Sequence, residues 1–146
     1  MTLTFVSNYI NHHQLPFCDA CYQRLGAGFA FVQSMPMEVE RVEMGWSVEG
    51  ETRPYVHKLD KEKEKVLALI RDSDILLAGW HDKRDIEAAI QKRLCDNKPT
   101  FRVSESIYKS GRWKCLSPRG LLRNFREHTR HRHRPYYLLC AGAYVA

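Results

Sequence analysis

No stretch of this chain is apolar for long enough to cross a bilayer: the longest such run, Tyr136 to Ala146, falls well short of the roughly 20 residues a spanning helix needs and reads instead as a buried strand. The opening MTLTFVSNY has neither the basic flank nor the long apolar core of a secretory signal, so the expected setting is intracellular and the five cysteines are expected as thiols. Only one Cys-x-x-Cys pair is present, Cys18 and Cys21, with no second pair to complete a four-cysteine zinc site. A redox pair belongs at the start of its helix, whereas Cys18 falls a turn inside, which favours structural thiols. Gly26-Ala-Gly28 lacks the third glycine of a dinucleotide fingerprint. The acidic cluster of a receiver domain is missing too, since Asn8 and Asn11 occupy the turn that would need carboxylates. There is no internal repeat and no low-complexity tract.

What the chain does have is a local excess of positive charge. Of the net +6, the segment Lys109 to Arg134 supplies nine cations against Glu127 alone, which leaves the remainder slightly negative. Such a cluster suits phosphate on a sugar nucleotide, a nucleic acid or an anionic lipid surface, with Arg112, Arg119 and Arg123 as candidate anion contacts. It equally suits a solvated helix face. The His128-Thr-Arg-His-Arg-His133 run alternates histidine with arginine and has no paired carboxylate, so no metal site is expected there.

A length of 146 residues fits a single domain, 1–146. Thr4 to Ser7 favour a strand, and Leu15, Cys18, Tyr22 and Leu25 follow at helical spacing until Gly26. Gly28 to Gln33 reads as a second strand. Glu38 to Tyr55, with Gly45, Gly50, Pro54 and Trp46, has the composition of an irregular excursion or lid, with a short helix available from Val39 to Met44. Asp60 is placed at the start of a helix striped by Val66, Leu67 and Ile70, and Asp74 to Trp80 is a central strand. Asp82 is the expected cap of the next helix, carrying Ile86, Ala89, Ile90 and Leu94. Thr100 to Ser104 is a fourth strand. Ser117-Pro118 opens a helix with Leu121, Leu122 and Phe125 on its buried side, and Tyr136 to Cys140 closes the order as a fifth. This alternation predicts an α/β, Rossmann-like parallel sheet of about five strands with helices on both faces. The apolar finish after the last strand suggests a severed half of a larger protein.

In such sheets ligands bind at the carboxyl ends of the strands. Asn11, His12 and His13 fall after the first strand, Trp80 and His81 after the third, Ser104 and Glu105 after the fourth. One imidazole, His12 or His13, can take a proton from a hydroxyl, with a carboxylate to orient or balance it. Helix capping or simple hydrogen bonding is the plainer role for each.

The opening FVSNYINHHQLP, the central LAGW, the SESIYKSGRWKCLSPRGLL stretch and the closing CAGAYVA resemble, over almost the whole chain, the amino-terminal half of bacterial group 1 glycosyltransferases of the GT-B type, the glycosyltransferase family 4-like kind. The resemblance implies an acceptor-binding domain of a sugar-nucleotide-dependent enzyme that moves a hexose to a cell-envelope or polysaccharide acceptor. It implies His13 and Glu105 as catalytic candidates and Asn11, His12, His81, Ser104 and Tyr108 as acceptor contacts. It further implies that this domain alone binds no cofactor and is inactive, the nucleotide-sugar donor and any carboxylate motif for it belonging to a missing carboxyl-terminal GT-B domain. The setting implied is cytoplasmic, with peripheral contact at the anionic inner face of the membrane and no nucleic acid as partner. Two rivals stand beside it: a stand-alone flavodoxin-like binding module, and a nucleic-acid-binding protein that uses the basic segment 109–134.

Overall fold

The computed structural model describes residues 1–104 and 137–140, with the single positions Pro118 and Leu122. Among the described residues six strands form one sheet: β1 (Leu3–Ser7), β2 (Phe29–Gln33), β3 (Val56–Lys58), β4 (Ile75–Ala78), β5 (Thr100–Ser104) and β6 (Tyr137–Cys140). Their spatial order is β3-β2-β1-β4-β5-β6, and every neighbouring pair is parallel. The α-helices with described bounds are α1 (Leu15–Leu25), the short α2 (Val39–Glu43), α3 (Lys63–Asp72) and α4 (Arg84–Cys95). The expected α/β, Rossmann-like sheet is what the chain forms. Among the described residues no helix is long and apolar enough to cross a membrane.

Strand pleating explains why the inner strands carry apolar residues at consecutive positions. Phe5, Phe29, Phe31 and Leu77 project to one face, where they bury Cys18 of α1 together with Ile10 and Tyr55. Val6, Val32, Leu76 and Ala78 project to the other, against Val66 and Ile70 of α3 and Ile86, Ala89, Ile90 and Leu94 of α4. Each inner strand must therefore be apolar at consecutive positions, which is the signature of a parallel sheet covered on both sides. The rings of Phe5 and Phe31 meet edge to face at 5.3 Å across the β1/β2 pair.

Several expectations need correction. The excursion after β2 is fastened to the body. Tyr55 is 2% exposed, its hydroxyl donates to Asp19 on α1 at 2.7 Å, and its carbonyl accepts from the Phe31 N–H. The next three residues then add the edge strand β3, which the sequence did not announce. Helix α3 starts at Lys63 rather than Asp60, because the Lys61 and Glu62 N–H groups both turn back onto the Lys58 carbonyl. Asp82 does not cap α4. Lys83 holds the cap position without a side-chain bond, and Asp82 pairs with the Lys83 ammonium at 3.3 Å. Leu122 is helical but 53% exposed rather than buried.

The other end of the sheet is held by a buried arginine. Arg93 on α4 is fully buried, yet among the described residues no carboxylate forms an ion pair with it. Its guanidinium donates to the carbonyls of Pro99 at 2.8 Å, Asp74 at 2.9 Å, Ile70 and Arg71 at 3.3 Å, and Ser73, while Nε reaches the Thr100 hydroxyl at 3.1 Å. One cation thereby satisfies the last carbonyls of α3, where the helix dipole favours positive charge, and joins the turns entering β4 and β5. Replacing it strands several buried acceptors at once. Arg93→Met is expected to lower unfolding free energy by about 3 to 5 kcal/mol in urea titrations, with Arg93→Lys recovering only part because an ammonium cannot reach as many carbonyls. A loss below about 1 kcal/mol would remove Arg93 from this role.

Candidate functional site

The carboxyl rim of the sheet divides where β1 is flanked by β2 and β4. The Ser7 carbonyl accepts from Ser34 N–H on the β2 side at 2.9 Å, and the Val6 carbonyl accepts from Gly79 N–H on the β4 side at 2.7 Å. A Cβ at position 79 would stand 2.8 Å from that Val6 oxygen and 3.2 Å from the Ser7 hydroxyl, so only glycine lets β4 leave the sheet this close to β1. Crevices of this kind are where doubly wound sheets bind ligands.

On one side stands the turn between β1 and α1. Asn11 heads it, its side-chain oxygen accepting from the N–H groups of His13 at 3.0 Å and Gln14 at 3.2 Å. The Gln14 side-chain oxygen returns to the Asn11 N–H at 3.3 Å, the reciprocal arrangement of a capping box. Asn11 is thus occupied as a cap at its side-chain oxygen. Gln14 also donates to the Ser7 hydroxyl at 3.3 Å, which fastens the turn to the end of β1. His12 and His13 are exposed, with ring centroids 3.8 Å apart. Trp46, from the excursion, meets them edge-on at 5.0 Å and 6.4 Å and carries the Arg41 guanidinium over its ring at 4.8 Å. Nothing in the linear pattern tied Trp46 to the histidines, thirty-odd residues earlier.

The excursion is held in place by Glu51, whose carboxylate accepts from Gln33 Nε2 at 2.8 Å and from Lys58. Burial alone would raise the Glu51 pKa, but these two donors and the lysine charge outweigh it and hold the group below the ordinary carboxylate value.

On the β4 side a pocket of about 120 Å³ opens between Trp80, His81, Glu87 and Ile90 of the β4–α4 region and Arg102 on β5. The His81 side chain is only 9% exposed, and its Nε2 stands 3.8 Å from a Glu87 carboxylate oxygen. Its Nδ1 is buried without a partner of hydrogen-bond geometry, the nearby Lys83 backbone exerting only a small upward pull on the pKa. Burial dominates, and with the repulsion of Arg102 it outweighs Glu87 and Asp82 and lowers the pKa from 6.5. A roomier hollow of about 290 Å³, lined by Thr4, Ala30, Ala68 and Leu69 among others, lies at the opposite, amino end of the strands and presents little polar chemistry.

The structure therefore brings His12 and His13 together with Trp46, and His81 together with Glu87 and Arg102, on the rim where the sequence placed them. Ser104 ends β5 at the same rim, in register with Cys140. Glu105, Tyr108, Arg112, Arg119 and Arg123 lie outside the described residues. Cys18 is fully buried, and burial, then the neighbouring Cys21 and Asp19, push its thiol up to about 12, the reverse of what an attacking thiolate requires. Among the described residues no three His, Cys, Asp or Glu side chains are grouped to hold a metal.

No family model, curated protein or solved structure matches this chain. The pocket's electrostatics carry a measurable consequence. A histidine whose folded-state pKa is depressed binds fewer protons folded than unfolded, so stability falls as pH drops past 6.5 and continues to fall until the buried ring itself is protonated. Between about pH 7.5 and pH 5 the wild type is expected to lose more unfolding free energy than His81→Asn, which has no proton to take up in that window. Equal losses in the two proteins would show that His81 titrates as it does in the unfolded chain.

Proposed function

We propose that this domain is the acceptor-binding half of a sugar-nucleotide-dependent glycosyltransferase, in which His13 or His12 accepts the proton of the acceptor hydroxyl. The observation that carries the reading is the crowding of two exposed imidazoles and the Trp46 indole beside the β1 end of a doubly wound sheet. An exposed imidazole offers a nitrogen to a hydroxyl, and an indole face beside it is a platform for the apolar face of a sugar ring. His81 and Ser104 on the far side of β1 are further acceptor contacts in this reading. Glu105 serves as the carboxylate partner, and Tyr108 as another acceptor contact. The donor sugar nucleotide and a carboxyl-terminal GT-B domain to hold it complete the machinery, and Arg112, Arg119 and Arg123 supply contacts to anionic phosphate or a cytoplasmic membrane face.

A binding module of flavodoxin-like kind is the second reading, favoured by one observation: without the three-residue β3, the remaining strands stand in the order second, first, third, fourth, fifth. Architecture of this sort hosts many chemistries, so the side chains at the rim must decide. Transfer of labelled sugar from a panel of nucleotide hexoses to membrane-derived acceptors, assayed with the protein as its host makes it, separates the two. Wild type is expected to transfer at least one hexose, and His13→Ala to cut the rate by about 100-fold or more while donor binding is kept. Transfer at the wild-type rate in both His13→Ala and His12→Ala would strike the histidines from the mechanism, and no transfer of any hexose would strike the transferase reading.

A further inference from the structure

The pocket between β4, α4 and β5 has a composition that selects a ligand class. Its polar groups are of both signs, with Glu87 on one wall and Arg102 on another, and between them stands an imidazole whose side chain is more than nine-tenths buried. A free anion would have to settle beside the Glu87 carboxylate and a free cation beside the guanidinium. Neutral ligands avoid both costs. Trp80, the residue at the mouth, is 62% exposed, and its indole gives the pocket a flat apolar wall. The volume of about 120 Å³ is enough for a substituent of one ring and too little for a nucleotide.

His81 and Glu87 also leave a gap that a ligand atom would close. Their nearest atoms are 3.8 Å apart, beyond hydrogen-bond length. With the ring proton on Nε2, on the Glu87 side, Nδ1 is left as the bare nitrogen. An N–H donor and a carboxylate acceptor at that separation are satisfied together by one hydroxyl, which accepts from the first and donates to the second. We propose that this pocket is a subsite for a neutral hydroxylated group of the kind a single sugar ring presents, with one hydroxyl bridging His81 Nε2 and the Glu87 carboxylate and the ring's C–H face against Trp80. The choice of a sugar among hydroxylated ligands rests on the transferase reading.

Saturation-transfer NMR with the 146-residue chain and D-glucose, D-galactose or D-mannose tests it, alongside the His81 imidazole resonances. At least one sugar is expected to receive saturation and to move those resonances. His81→Phe is expected to weaken binding by about 10-fold or more, since it removes one hydrogen bond to the bridging hydroxyl, and His81→Asn by less. Trp80→Ala changes an exposed residue and so tests the same site if His81→Phe fails to fold; it too is expected to weaken binding, whereas Cys95→Ser, an exposed position away from the pocket, is expected to leave it unchanged. Absence of saturation transfer to all three sugars, binding undiminished in His81→Phe and Trp80→Ala, or displacement of the His81 resonances by inorganic phosphate in place of sugar would each overturn the proposal. Sugar binding that depends on His81 in a protein that transfers no hexose would overturn the transferase reading and leave the subsite standing. Undiminished transfer in His81→Phe with no sugar bound would do the opposite.

Discussion

The position of β1, hydrogen-bonded along both edges to strands whose helices cover opposite faces, is the constraint from which the rest of the molecule follows. The chain passes from β1 outward to β2 with α1 on one face, then returns across the sheet to β4 with α3 on the other. Right-handed crossovers leave no other choice of faces once the strand order is set. The loops after β1 and β4 therefore diverge from neighbouring strands, and the space between them is where a ligand meets backbone from two directions. Gly79 keeps that junction tight, since any side chain there would press on the Val6 carbonyl.

Most of this frame was legible in the sequence, and the physical reason is that parallel strands buried on both faces are apolar at consecutive positions rather than alternating. Leu3–Ser7, Phe29–Gln33 and Ile75–Ala78 satisfy that demand almost regardless of context. Strand β3 does not. Its three residues are half-buried, and their conformation comes from pairing with β2 after Tyr55 has been anchored, information that lies in tertiary contacts rather than in the segment itself. Arg93 escaped for a related reason. Arginine reads as a surface residue in composition, and only the arrival of two turns and a helix end around one side chain makes burial of its charge favourable.

The candidate site was legible in place but less so in detail. Alternation alone put His12, His13, His81 and Ser104 on the carboxyl rim, and they lie there. Which side chains they meet was not accessible, because Trp46 reaches the histidines from an irregular segment and Glu87 and Arg102 reach His81 from a helix and another strand. Asn11 shows the converse. Its spacing from Gln14 is that of a capping box, a local pattern readable without any fold, and its side-chain oxygen performs that task.

The two halves of the rim differ in how firmly their side chains are held. The half after β1 is built from exposed rings that touch one another, so its geometry is set by weak aromatic contacts and can adjust to an incoming group. The half after β4 is fixed: His81 is nearly buried, Ile90 and Ala78 beside it belong to the core, and Gly79 ties its entry to β1. A rigid subsite next to an adaptable one suits a reaction in which part of a substrate must be held in register while another part is brought to a proton acceptor. The Gln14 to Ser7 hydrogen bond on one side and the Gly79 to Val6 bond on the other join both halves to the same strand, so a displacement of β1 would be felt by both. Both halves of the rim are thereby tied to one strand.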